Sequence, residues 1–242
     1  MAWQTPKTDW STADGVRDTD FNRIEGNTLA LYEETARRSY TIYVSASVGN
    51  DDSNDGTTSR PYKTIGKALS MLPRNFNGYP CTVHIAPGTY NETVTVNSAF
   101  RDMVKFVSSA FSSAVTIQQI IVENGGALEL ADMTLTVSGG IVVRKNASLI
   151  STATLKNVGR GAALSVSFNS MAQVFDLEIG SVATYGIEAN SNSSVSVSSI
   201  KGTATSYALY ASGGGVIAYT TNSATGAIYT ASGGRIYTGS QS

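Results

Sequence analysis

From about residue 115 the chain keeps returning to one short theme: an apolar residue, a polar corner of Asn, Ser or Gly, and a second apolar residue eight positions after the first. The pairs are Ile120 with Leu128, Ile141 with Leu149, Val166 with Val174, Ile187 with Val195, Leu209 with Ile217 and Ile228 with Ile236. Their first members are separated by 21, 25, 21, 22 and 19 residues. Segments this short cannot bury a face alone, so a period in the low twenties built from them is the signature of a solenoid. Leucine-rich repeats share that period, but their fixed leucine and asparagine pattern is absent, and no helix-period run fills each repeat. The solution left is a parallel β-helix whose every coil carries two or three short strands. Small or branched apolar residues fill its narrow interior. Corners such as Asn124-Gly125 and Gly213-Gly214 supply residues that tolerate left-handed backbone.

Upstream, Tyr40-Thr41-Ile42-Tyr43-Val44 reads as a strand. The Asn/Asp/Gly-rich run from Gly49 to Gly56 then reads as turns. Its three carboxylates in five residues are a calcium-like grouping, but their spacing fails the EF-hand template, so a structural turn is expected. Ile65, Ala68, Leu69 and Leu72 line one face of a short helix that Pro73 closes. Cys81 to Ile85 alternates as a strand, Ala86 to Tyr90 turns, and Thr93 to Val96 alternates again. His84 lies between Val83 and Ile85 and is expected to face away from them in a structural role. Near the start, Asp20 to Arg38 reads as a helix with an acidic first turn and a basic last turn. Phe21, Ile24, Thr28 and Leu31 form a weak apolar seam on it, suited either to packing on its own domain or to self-association.

Composition fits this picture. Ser (31) and Thr (27) make up nearly a quarter of the 242 residues, as expected if they decorate the outward positions and corners of a coil. A net charge of -1 gives no electrostatic reason to expect nucleic-acid binding or attraction to an anionic membrane. No segment has the apolar length of a membrane span or a secretory signal, so a chain made and kept in a reducing cytoplasm is expected. The single cysteine, Cys81, leaves no disulfide framework and no cysteine-cluster metal site. Charge is also unevenly spread. Seven of the 18 carboxylates fall in the first 40 residues, and none follows Glu188.

That distribution bears on chemistry. Glycosidic hydrolysis needs a pair of carboxylates. Only Glu123, Glu129, Asp132, Asp176, Glu178 and Glu188 follow residue 110. Asp176 and Glu178 can share a face, but solvated carboxylates are the expected outcome. No catalytic residue, metal ligand or cofactor is therefore assigned. Five tyrosines, Tyr207, Tyr210, Tyr219, Tyr229 and Tyr237, stand among small residues near the C-terminus. Repeating near the coil period, they suit an exposed ladder for stacking on sugar rings, or equally a structural stack.

Two resemblances follow. Tyr43-Val44, Gly49 to Gly56, Arg60-Pro61-Tyr62-Lys63-Thr64-Ile65-Gly66-Lys67-Ala68-Leu69 and His84 to Glu92 together resemble the opening of pectin-lyase-like right-handed β-helix proteins. This implies an all-β right-handed parallel β-helix over 41–242, with a capping region and first coils over 41–100 and repeated coils over 101–242. The short helix would cap the first coil. That fold serves phage tail proteins, polysaccharide lyases, carbohydrate esterases and surface proteins alike. Trp3 to Trp10, followed by Asp18 to Asn27, is similar to the N-terminal segment of tail proteins from phages and prophages of Gram-positive hosts. It implies that residues 1–40 attach the chain to a virion, through Trp3, Trp10, Phe21, Asn22, Arg23 and Ile24.

The expected protein is thus a structural virion component, a tail fibre or spike assembled in the host bacterial cytoplasm, that binds other tail or baseplate proteins and a host cell-surface polysaccharide. A polysaccharide-degrading tailspike and a purely architectural spacer are the alternatives. An uncapped last coil would expose strand edge and apolar interior, so self-association as a homotrimer is expected.

Overall fold

A computed structural model describes residues 4–9, 11, 13–36, 39–74, 78–100, 102–108 and 114–239. In chain order the elements are α1 (Asp18–Ala36), β1 (Tyr40–Val44), α2 (Ile65–Met71), β2 (Cys81–Ile85), β3 (Gly88–Val96), β4 (Val104–Ser108), β5 (Ala114–Glu123), β6 (Ala127–Ala131), β7 (Thr134–Val137), β8 (Ile141–Arg144), β9 (Ser148–Asn157), β10 (Ala162–Ser167), β11 (Met171–Ala189), β12 (Ser194–Ala211), β13 (Val216–Asn222), β14 (Thr225–Thr230) and β15 (Arg235–Thr238). The named strand pairings are all parallel. The chain winds into a right-handed solenoid of about seven turns.

Each coil presents three faces. The first face stacks β1, β2, β4, β6, the starts of β9, β11 and β12, then β13 and β15. The second runs through the start of β3 and β5, then β7, the end of β9 and the middles of β11 and β12. The third joins the end of β3 and β5 to β8, β10, the ends of β11 and β12, and β14.

Like stacks on like inside the coil. Val104, Leu128, Leu149, Ala172, Val195 and Ile217 form one buried column on the first face. Val94, Ile120, Ile141, Leu164, Ile187 and Leu209 form another on the third. One register differs from the sequence reading. Leu164, not Val166, stands between Ile141 and Ile187, while Val166 pairs with Val143 and Ala189. Leu164 and Val166 both point inward, so strand periodicity alone leaves a two-residue ambiguity. With Leu164 in the column the uneven spacings of 25 and 21 become equal steps, from Ile141 to Leu164 and from Leu164 to Ile187.

The corner between the third and first faces is built six times from two consecutive left-handed residues: Asn124-Gly125, Lys145-Asn146, Phe168-Asn169, Ser191-Asn192, Gly213-Gly214 and Ser232-Gly233. Asn and Gly adopt this conformation at the least cost. Lys145 and Phe168 are the bulkier exceptions.

The N-terminal end of the coil is closed by α2, whose Ile65, Ala68 and Leu69 are buried, with Leu72 beside them. Thr64 caps it by accepting from Lys67 N. The predicted turn at 86–90 is shorter than expected. Gly88 already belongs to β3, because Tyr90 enters the interior and its hydroxyl donates to Ala86 O at 2.8 Å. At the other end, Ile228 belongs to the third-face column yet is 52% exposed.

Candidate functional site

The sequence-predicted tyrosines divide into two groups. Tyr207, Tyr210 and Tyr229 come together on the outside of the third face, joined by Tyr185, which sequence reasoning missed. Tyr185 stacks on Tyr207 with ring centroids 5.8 Å apart, and Tyr210 on Tyr229 at 5.6 Å. Tilted contacts of 5.2 to 5.6 Å knit the two stacks into one block. Tyr219 and Tyr237 stand apart on β13 and β15 of the first face. Tyr219 packs against the hydrophobic core, in register with Val197 and Thr238, and Tyr237 is in register with Ala218.

The block depends on local irregularity. In β12, Ala208 and Leu209 are both buried, so Tyr207 and Tyr210, three residues apart, both face outward. Register shifts between Thr203 and Tyr207, and again between Tyr207 and Leu209, mark the bulge. β11 repeats the device with Gly186 and Ile187 between Tyr185 and Glu188. A Cβ on Gly186 would run into the Ala208 carbonyl oxygen, so only glycine fits beneath the next coil's bulge. Bulges re-aim side chains at such places.

Beside the tyrosines lies one carboxylate. Glu188 is the register partner of Tyr210, and it accepts from Ser165 Oγ at 3.0 Å and Asn190 Nδ2 at 3.3 Å. No hydroxyl of the four tyrosines has a hydrogen-bond partner among the described residues. The arrangement offers flat apolar faces, phenolic donors and a fixed acceptor together, a combination suited to the mixed apolar and hydroxyl surface of a sugar.

Four other carboxylates of the coils are tied into ion pairs. Glu123 meets Arg144 at 2.8 Å, and Glu129 meets Lys105 at 2.8 Å. Glu178 meets Lys156 at 2.7 Å, while Lys201 reaches both Asp176, at 3.5 Å, and Glu178, at 3.8 Å. The hydrogen bond from Lys156 holds the Glu178 carboxyl below the usual range, which works against a proton-donor role there. The Gly49–Gly56 run folds as turns. Asp51 Oδ1 accepts from Lys63 N at 2.7 Å and Thr64 N at 3.1 Å, and its Oδ2 from Thr64 Oγ1 at 2.8 Å. Burial opposes ionisation of Asp51, but these hydrogen bonds outweigh it and lower its pKa. Among the described residues, no three potential metal ligands gather into one group. His84 stacks on Tyr43 at 4.8 Å, and desolvation lowers its pKa. Burial pushes the Cys81 thiol up to about 12.

In the N-terminal segment, Phe21, Asn22 and Ile24 are exposed on α1, and Arg23 pairs with Asp20 at 3.5 Å. Gln4 and Asn27 exchange two hydrogen bonds of 2.8 Å, which tie the leading residues to the helix. Trp3, Trp10 and the expected basic end at Arg37 and Arg38 lie outside the described residues.

Fold and stacked columns together define a pectin-lyase-like right-handed parallel β-helix. Residues 47–202 match the family described as "Protein of unknown function (DUF1565)", and the chain belongs to that family. No curated protein and no solved structure matches the chain significantly.

Proposed function

We propose that the chain is an adhesive structural β-helix, a tail fibre or spike of a virion, that contacts host surface polysaccharide through the block of Tyr185, Tyr207, Tyr210 and Tyr229. The carrying observation is the block itself, four outward aromatic rings from three successive coils, aimed by two bulges and flanked by Glu188. The exposed Phe21 and Ile24, with the resemblance of the first 27 residues to phage tail segments, support attachment to tail or baseplate proteins through residues 1–40. Self-association as a homotrimer belongs to the same reading and is supported by the exposed apolar side chains of Met171 and Phe175.

Purified chain, incubated with cell-wall material of Gram-positive bacteria, is expected to co-sediment without releasing reducing sugar. The Tyr210→Ala/Tyr229→Ala variant is expected to stay in solution. Unchanged sedimentation of that variant contradicts the saccharide reading. Release of reducing sugar favours the depolymerase alternative, for which Glu188 is the nearest acid. Incorporation into particles of a chain that begins at Thr41 contradicts attachment through the N-terminal segment.

A further inference from the structure

The outward side of the first face differs from the other two. The second face carries Lys156, Asp176, Glu178 and Lys201, and the third carries Glu123, Arg144 and Glu188. On the first face, from the coil that starts at Ser148 to the strand that starts at Val216, no outward position is charged. In their place stand exposed apolar side chains. Met171 is 57% exposed, Phe175 at the bend 62%, and Ile150 lies one coil earlier at 37%. Phe168, 56% exposed, extends the patch at its edge. Charged residues begin only at the rim, with Lys145 at a corner, Glu129 paired to Lys105 in the earlier coils, and Arg235 in the last strand. Loss of charge from the centre, with Met and aromatics enriched there and charge kept to a rim, is the composition of a protein interface core.

Two further observations bear on the occupant. Phe168 holds a left-handed backbone, φ 55°, at a corner where other coils place Asn, Ser, Gly or Lys. A bulky residue is disfavoured there, and more than half of the Phe168 surface is exposed. Next to Met171 and Gln173 the face sinks into a trough of about 390 Å³ floored by Ser194 and Ser196, with Val216 and Ala218 beyond. Ridge and trough lie side by side, so one copy of the face can receive the ridge of another.

We infer that this face is where the chain meets a second copy of itself. A surface of neither sign can face itself without opposing like charges, whereas the charged second and third faces would bring their own ions together. The four strands without outward charge, about 4.8 Å apart and roughly five residues wide, give on the order of 300 Å² of projected area, the centre of an interface whose rim the flanking coils would supply. The inference assigns a surface to self-association by pairing of like faces, a two-fold contact distinct from the homotrimer proposed above, and does not depend on the saccharide reading.

The test is the mass of the full chain in solution. Sedimentation velocity across the micromolar range should give a multiple of 25.4 kDa for the native protein. It should give one chain for Ser196→Asp and for Met171→Asp, with no loss of mass for Thr136→Asp on the second face. Far-UV circular dichroism checks that each variant stays folded. Should the charged variants fail to fold, Ser196→Cys provides the second route. With Cys81 buried, mild oxidation should yield disulfide-linked pairs through the new thiol. A single-chain native mass, equal dissociation by Thr136→Asp, or an associated Ser196→Cys chain without linked pairs would each overturn the assignment. So would a Ser196→Asp variant that keeps the native mass but loses wall binding, since the face would then belong to a ligand.

Discussion

The two ends of the solenoid solve the same problem with different materials. At the N-terminal end the chain must leave the coil, and charged side chains hold the irregular backbone. Asp51 ties the 49–56 turn to Lys63 and Thr64, and Glu92 accepts from Ile65 N and Gly66 N, both at 2.8 Å, at the start of α2. Free N–H groups of a helix start find partners this way. Beneath them Ile65 and Ala68 are fully buried. At the far end, Arg235 is the one charged residue after Lys201, and strand stacking, bulges and uncharged side-chain hydrogen bonds carry the coil. Its interior reaches the surface at Ile228, and its outside is given over to tyrosines. Carboxylates fix geometry where stacking cannot, and where stacking suffices the surface is free for contact.

Core truncation should separate the ends most strongly. Ile65→Ala, at a site without exposure, is expected to cost about 2–5 kcal/mol. Ile228→Ala, at 52% exposure, should cost less than about 1 kcal/mol in the unassociated chain. Thermal melts of the two variants in the Ser196→Asp background measure both, and equal losses would erase the contrast between the buried Ile65 and the exposed Ile228.

Asp51→Ala should cost about 1–3 kcal/mol, because it leaves three donors without their acceptor. Its sign with pH is fixed. The folded-state pKa of Asp51 lies below the unfolded one, so its contribution is complete above about pH 4 and disappears as pH falls through the folded value. The native melting temperature should therefore fall more steeply in acid than that of Asp51→Ala. Parallel acid profiles would remove the carboxylate from the account of the cap.

A smaller gain is expected at the corner that breaks the rule. Phe168→Asn relieves a left-handed aromatic residue and should stabilise the Ser196→Asp chain by about 0.5–1 kcal/mol, raising its melting temperature by roughly 2–4 °C. An unchanged or lower melting temperature would mean that the ring stabilises its own chain.

Much of the architecture was legible because a solenoid writes its period into the sequence. The apolar columns, the Asn and Gly corners and the buried side of α2 all follow from spacing and residue type. Leu164 and Val166 were exchanged because both positions point inward and parity cannot separate them. The tyrosine block was only half legible for a related reason. Strand alternation would put Tyr207 and Tyr210 on opposite sides, and only the buried pair Ala208-Leu209 brings them together. Tyr219 shares its parity with Val197, which marks it as an inward residue. Tyr185, one coil before Tyr207, was available from the period alone.

The most direct test of the central claim is calorimetric titration of cell-wall oligosaccharides into native chain and into Tyr207→Ala/Tyr229→Ala. Base stacking on aromatic side chains is worth about 1–3 kcal/mol per ring, and stacking of a sugar's apolar face is expected near the lower end of that range. Native protein should therefore bind with measurable heat, and loss of two rings should weaken binding by at least tenfold while circular dichroism shows the fold retained. Equal affinity in the two proteins would contradict the account.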